Sequence, residues 1–130
     1  MKVSKKIVVS LVMAMSMTTL SSTAFAAEKK DLNAVVREAA EGTIAKIEEA
    51  ISLVEKGDKD GAVAAITDAR QMQKEFRYEA TERQRQKAND KLKVAREAVV
   101  GDKTKEAEET LKETLAAFKE MKVTYDASHK

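Results

Sequence analysis

The groups with which this chain could do chemistry are carboxylates, ammonium and guanidinium groups and one imidazole. It has no Cys and a single His, His129. Asp126 and His129 stand three apart, so on a helix they share a face. A carboxylate beside an imidazole is a donor pair for a divalent metal such as copper, nickel or zinc. With only two ligands such an ion is held weakly. The denser acidic groups, Glu48-Glu49 and Glu106-Glu108-Glu109-Glu113, read as solvated helix faces, because lysines stand beside them, as Lys112 does four residues after Glu108.

Other chemistries lack their parts. Ser52 and Ser128 sit in no nucleophile elbow or triad setting, and four glycines make no phosphate-binding loop. Covalent haem attachment needs C-x-x-C-H, and Met72 and Met121 fall on apolar stripes where methionine fills core space. A di-iron bundle needs Glu-x-x-His pairs, which are absent. The expectation is a protein that is not an enzyme and that binds.

One charge asymmetry supplies a second candidate surface. Arg77, Arg83, Arg85, Lys87, Lys91, Lys93 and Arg96 face only Glu79, Glu82 and Asp90 over the same stretch, with Phe76 and Tyr78 beside them. Of these, Arg77, Arg83, Arg85 and Lys87 are the candidate contacts for an anionic partner, either an acidic protein or an envelope component such as a lipid headgroup or polymer.

The elements that must position these groups are helices. Ala, Glu and Lys dominate residues 27–130, and apolar positions recur at three and four. The stripes are Leu32, Val36, Ala40, Ile44, Ile47, Ile51, Val54; then Ala62, Ala65, Ile66, Ala69, Met72, Phe76; then Ala88, Leu92, Ala95, Val99; then Ala107, Leu111, Leu115, Phe118, Met121. The spacing predicts helices over about 31–56, 59–79, 82–100 and 103–124. Asp31 and Asp58 are expected N-caps. Gly57-Asp58 and Gly101-Asp102 each read as a helix stop followed by a capping residue. No Gly or Pro interrupts Phe76 to Lys93. The break expected there rests on Thr81-Glu82-Arg83-Gln84, which fits a capping box. The alternative is one continuous helix from Asp58 to Val99, about 60 Å long, which could not close a monomeric bundle.

A shift of 45 residues lays Ala50, Val54 and Ala62 on Ala95, Val99 and Ala107, with the Gly-Asp turn slipping by one place. The expected fold is therefore all-α, an up-down-up-down four-helix bundle built from two helical hairpins.

Residues 1–26 read as a signal peptide. Lys2, Lys5 and Lys6 precede the uncharged Ile7–Leu20, and Ala24-Phe25-Ala26 supplies the cleavage pattern. The apolar run is shorter than the about 20 residues a spanning helix needs, so no membrane span is expected after cleavage. No Cys follows that would make a lipoprotein. The expected location is periplasmic or secreted. The chain has 24 basic and 22 acidic residues, and losing the leader's three lysines leaves 21 against 22. This near-balance and the compartment together argue against nucleic acid as a partner.

The phrases IEEAISLVEKGDKDGAVAAITDAR and KLKVAREAVVGDKTKEAEETLKETL, with the leader and the repeated alanine-rich hairpins, resemble the periplasmic small metal-binding protein family over most of Asp31 to Met121. The resemblance implies a periplasmic four-helix bundle that binds divalent metals such as copper through histidines on its helix faces. This sequence lacks those histidines, and only His129 remains, outside the repeat. Two functional expectations stand: weak divalent-metal binding on a family-like scaffold, and a chaperone-like or adaptor module that contacts an anionic partner through the basic 77–96 region.

Overall fold

The computed structural model describes residues 32–129. The leader, the expected cap Asp31 and Lys130 lie outside the described residues. Four helices follow one another: α1 (Leu32–Lys56), α2 (Lys59–Met72), α3 (Glu82–Val100) and α4 (Thr104–Ser128). Each helix packs along its chain neighbours, and α1 packs along α4, so the four close a square. Tight turns after α1 and α3 and the longer 73–81 connection between them reverse the chain, so consecutive helices run antiparallel. The fold is the all-α four-helix bundle expected. Among the described residues no helix is long and apolar enough to cross a membrane.

The interior is filled by alternating sizes. Ala50, Ala62, Ala69, Ala95 and Ala107 are fully buried and admit close helix approach, and Ile47, Ile66, Leu92, Leu111, Phe118 and Met121 fill the space between them. The buried face of α1 runs through Ala39, Thr43 and Ala50, whereas Ile44 and Ile51 are only partly buried and Leu32 is 80% exposed. Hydrophobicity alone favours the larger side chains at this seam. The buried hydroxyls of Thr43 and Thr114 donate to the carbonyls of Ala39 and Thr110 at 2.7 and 2.8 Å. Among the described residues no buried side-chain polar atom lacks a partner.

The first turn follows the expected chemistry. Gly57 has φ +81°, and the amides of Asp58 and Gly57 donate to Leu53 and Val54 at 2.9 and 3.1 Å, a Schellman stop. Asp58 then caps α2, accepting from the Gly61 amide at 2.9 Å. The second turn departs from expectation. Gly101 keeps a negative φ of −85°, and Asp102 takes the left-handed position at φ 62°. The amides of Lys103 and Asp102 donate to Ala98 and Val99 at 2.8 and 3.1 Å. Asp102 therefore ends α3 and does not cap α4. The capping position falls to Lys103, which has no side-chain cap bond. Structurally the two turns stand 45 residues apart, Gly57 on Asp102, so the slip in the sequence repeat is absorbed by an aspartate in a glycine's conformation.

The middle connection breaks where expected, by different means. Helix α2 stops at Met72, short of residue 79. A 3₁₀ turn (Gln73–Glu75), an extended stretch and a second 3₁₀ turn (Glu79–Thr81) precede α3. The capping box does not form. Thr81 makes no side-chain cap bond, and its hydroxyl donates back to the Tyr78 carbonyl at 3.3 Å. The break is held by buried anchors: the Phe76 ring, fully enclosed, and Gln73, whose Nε2 donates to the Arg70 carbonyl at 2.8 Å and whose Oε1 accepts from Arg85. Helix α4 runs beyond residue 124 to Ser128.

Candidate functional site

The antiparallel topology brings the start of α1, the 73–81 connection and the end of α4 to one end of the bundle, where the aromatic side chains gather. Continuing the Phe118–Met121 stripe by four places buries Tyr125. One further turn stacks the His129 ring on Tyr125 at 3.9 Å and 13°. Tyr78 meets both rings edge-on, each at 5.2 Å, and Phe76 meets Tyr125 at 6.0 Å. The Tyr125 hydroxyl donates to Asn33 Oδ1 at 2.7 Å, and the Tyr78 hydroxyl donates to Ser128 Oγ at 3.0 Å. Arg37 lies over the Tyr125 ring with Cζ 6.0 Å from the centroid and donates to the His129 carbonyl at 3.0 Å.

Tyr78, Tyr125 and His129 form one wall of a cleft of about 360 Å³. Leu32, Val35 and Val36 form the other wall, and Glu75 and Arg77 place opposite charges at its edge. A shallower groove continues from Val35 past Ala39 and Gly42 to Met72. A Cβ on Gly42 would sit 2.9 Å from the Met72 sulfur, so the glycine lets this side chain lie on α1. Met121 is core, as its stripe implied, but Met72 is 37% exposed and belongs to this groove.

The two expected metal ligands are placed in different surroundings. The Asp126 carboxylate accepts from Lys122 at 2.7 Å and pairs with Arg37 at 3.4 Å. The His129 ring turns away onto Tyr125, with Nδ1 2.8 Å from the Tyr125 carbonyl. Among the described residues no cluster of three or more potential metal-ligating side chains occurs. The acidic faces are lysine-matched: Glu48 with Lys119 at 3.6 Å, Glu49 with Lys46 at 3.4 Å, and Glu108 with Lys112 at 3.3 Å.

The expected basic surface also divides. Arg85 is turned into the bundle, ion-paired with Glu82 and donating to Gln73, so it is structural and unavailable to a partner. Arg83 and Lys87 are exposed on another face of α3, and Arg77 stands at the cleft edge. Composition did not single out Tyr125, Asn33 or Arg37. The legible signal was the i+4 step from Met121 to Tyr125, hidden by ending the fourth helix at 124.

The Lys122 ammonium, with help from Arg37 and against partial burial, holds the Asp126 carboxyl below its ordinary 3.8. Arg85 likewise holds Glu82 below 4.5, against its burial. A carboxyl depressed in the folded state contributes stability that is fully present above the ordinary value and is lost as pH falls through the depressed one. Urea midpoints should therefore drop below about pH 4, and Asp126→Asn should flatten part of that slope. Asp126 is 39% exposed, so its share is a fraction of about 1 kcal/mol. An unchanged slope in the variant would remove Asp126 from the acid response.

Comparison with protein-family models, curated proteins and solved structures finds no significant match to this chain.

Proposed function

We propose that this chain is an exported, non-enzymatic binding protein that holds a small amphipathic molecule in the cleft at the aromatic end of its bundle. The observation that carries this reading is the cleft itself. Its volume of about 360 Å³ falls in the range of small-molecule sites, which are mostly apolar with a few placed polar groups. The apolar or aromatic body of the ligand lies against Val35, Val36 and Tyr125. Its polar group meets Glu75 and Arg77. In this reading residues 1–26 act as an export signal, and the binding takes place in the cell envelope or outside it.

Amide NMR titration with aromatic fragments that carry an acid, an amine or no charge tests the reading. Saturable shifts should centre on Tyr78, Tyr125 and His129, and Val35→Trp, which fills the cleft, should abolish them. Shifts scattered over the surface, or unaffected by the tryptophan, would sink it.

A second reading, divalent-metal binding of the kind the small metal-binding family shows, keeps one supporting observation. A carbonyl only accepts, so the His129 Nδ1 beside Tyr125 O carries the proton and Nε2 offers the lone pair. Metal-binding histidines usually have this backing. Asp126 must leave Lys122 and Arg37 to join it, so the affinity is weak. A melting-temperature rise with Cu(II), Ni(II) or Zn(II) that is lost in His129→Ala would support this reading. No rise with any of the three would end it.

A further inference from the structure

A second concavity lies on another face, between α2 and α3, with a volume of about 150 Å³. Arg70, Lys74 and Arg96 line it together with Thr67, Gln71 and Asn89. Arg37, Lys46, Lys59, Arg85, Lys91, Lys112, Lys119 and Lys122 are ion-paired with carboxylates, whereas others, such as Arg83 and Lys87, stand exposed on the surface of α3. Among the described residues Arg70, Lys74 and Arg96 have no such partner, and no acidic side chain lines the pocket. Like charges converging on one concavity repel each other and raise its affinity for a counter-ion.

The neutral groups are polarised the same way. Arg70 Nε donates to Asn89 Oδ1 at 3.2 Å, and Lys74 Nζ donates to Gln71 Oε1 at 3.2 Å. Arginine and lysine have no acceptor, so these bonds fix which end of each amide is the oxygen. Both amide oxygens are thus engaged by cations, and both amide NH₂ groups remain to donate. The Thr67 hydroxyl gives its proton to the Val63 carbonyl at 2.9 Å and adds no donor. What remains is two guanidinium groups, one ammonium and two amide NH₂ groups.

We propose that this pocket is a binding site for a doubly charged tetrahedral oxyanion, phosphate free or as a monoester. Guanidinium forks match the edges of such an anion bidentately. The site is separate from the aromatic cleft and does not depend on its ligand. It also relocates the anion-facing surface of this protein: Arg96 is in it, and Arg77, Arg83, Arg85 and Lys87 are not.

The test is titration with inorganic phosphate and, separately, with glycerol phosphate, against sodium chloride at matched ionic strength. The Asn89 and Gln71 side-chain amides and the arginine Nε–H signals are followed by NMR. Saturable shifts confined to these groups are expected, with affinity falling at least about tenfold in Arg96→Gln and unchanged in the control Arg83→Gln. Arg96 makes no structural ion pair, so this variant keeps the fold, and matching amide spectra verify that. Binding of both ligands points to an esterified phosphate as the natural source, and binding of phosphate alone points to the free ion. Non-saturating shifts spread over Arg83, Lys87 and the pocket alike, or equal affinity in Arg96→Gln and the control, would overturn the proposal.

Discussion

Replacing Phe76 by Ala lowers the stability of the bundle by about 3–5 kcal/mol. A domain of this size has only about 5–15 kcal/mol in all, so the variant is expected to melt about 12–40 °C below the wild type. The size of the effect comes from where the residue lies. Phe76 sits outside every α-helix, at φ −83° and ψ 77°, yet its ring is fully enclosed. It anchors the connection from α2 to α3 and packs edge-on against Tyr125, the centre of the aromatic end. In a core built largely of alanine, few neighbours can collapse into the space it leaves, which places the loss toward the upper end of the range. Urea denaturation of Phe76→Ala, Phe76→Leu and the half-exposed control Met72→Ala checks this. The leucine variant should lose much less, and the control least. If Phe76→Ala unfolded with nearly the wild-type midpoint, the connection would not belong to the cooperative unit. Fragment shifts at Tyr78 should broaden in the leucine variant, because the ring beneath the cleft wall is gone.

The helices were legible because three-and-four spacing is a property of the chain itself. The four stripes lie within the four helices, apart from Phe76. What spacing does not encode is which small residue wins a contested seam. Thr43 and Ala39 are buried in α1 while Ile44 is only partly so, and which of them faces the neighbouring helices is set by tertiary packing. The site was less legible for the same reason. Tyr78 is far from Tyr125 and His129 in sequence and meets them only because antiparallel packing returns the end of α4 to the 73–81 connection. Charge counting found a basic stretch but could not tell Arg85, drawn inward by Glu82 and Gln73, from Arg83 on the surface. It also missed Arg70, whose partner across the groove, Asn89, lies on the next helix. The Asp126–His129 pair illustrates the limit of spacing in the other direction. Two residues on one helical face can still be claimed by different neighbours.

Making the second turn like the first should stabilise the protein, by about 1–3 kcal/mol for Asp102→Gly combined with Lys103→Ser. The argument rests on the structural superposition of the two turns. Gly57 adopts its positive φ without steric penalty, but Asp102 holds φ 62° with a side chain attached. The left-handed region costs an ordinary L-residue about 1–2 kcal/mol, and aspartate somewhat less. The next position, Asp58 in the first hairpin, caps α2, whereas Lys103 leaves the α4 amides uncapped and sets a positive charge at the positive end of the helix dipole. Serine suits position 103 better than aspartate. The first cap works beside Gly61, where a Cβ would come within 2.5 Å of the Asp58 carboxylate, and the matching residue in the second hairpin is Glu106. A hydroxyl is smaller and carries no charge to repel that glutamate. The one opposing loss is the Lys59–Asp102 ion pair at 2.7 Å. The Asp102 side chain is 80% exposed, and such pairs contribute about 0–1 kcal/mol, less than the strain relieved. Thermal melts of both single variants and the double variant decide the matter, with a rise of about 4–8 °C expected for each kcal/mol in a domain of this length. Asp102→Gly melting below wild type in low salt but above it in high salt would show that the ion pair outweighs the strain. A double variant with no gain at any salt concentration would mean that the second turn is already as well closed as the first.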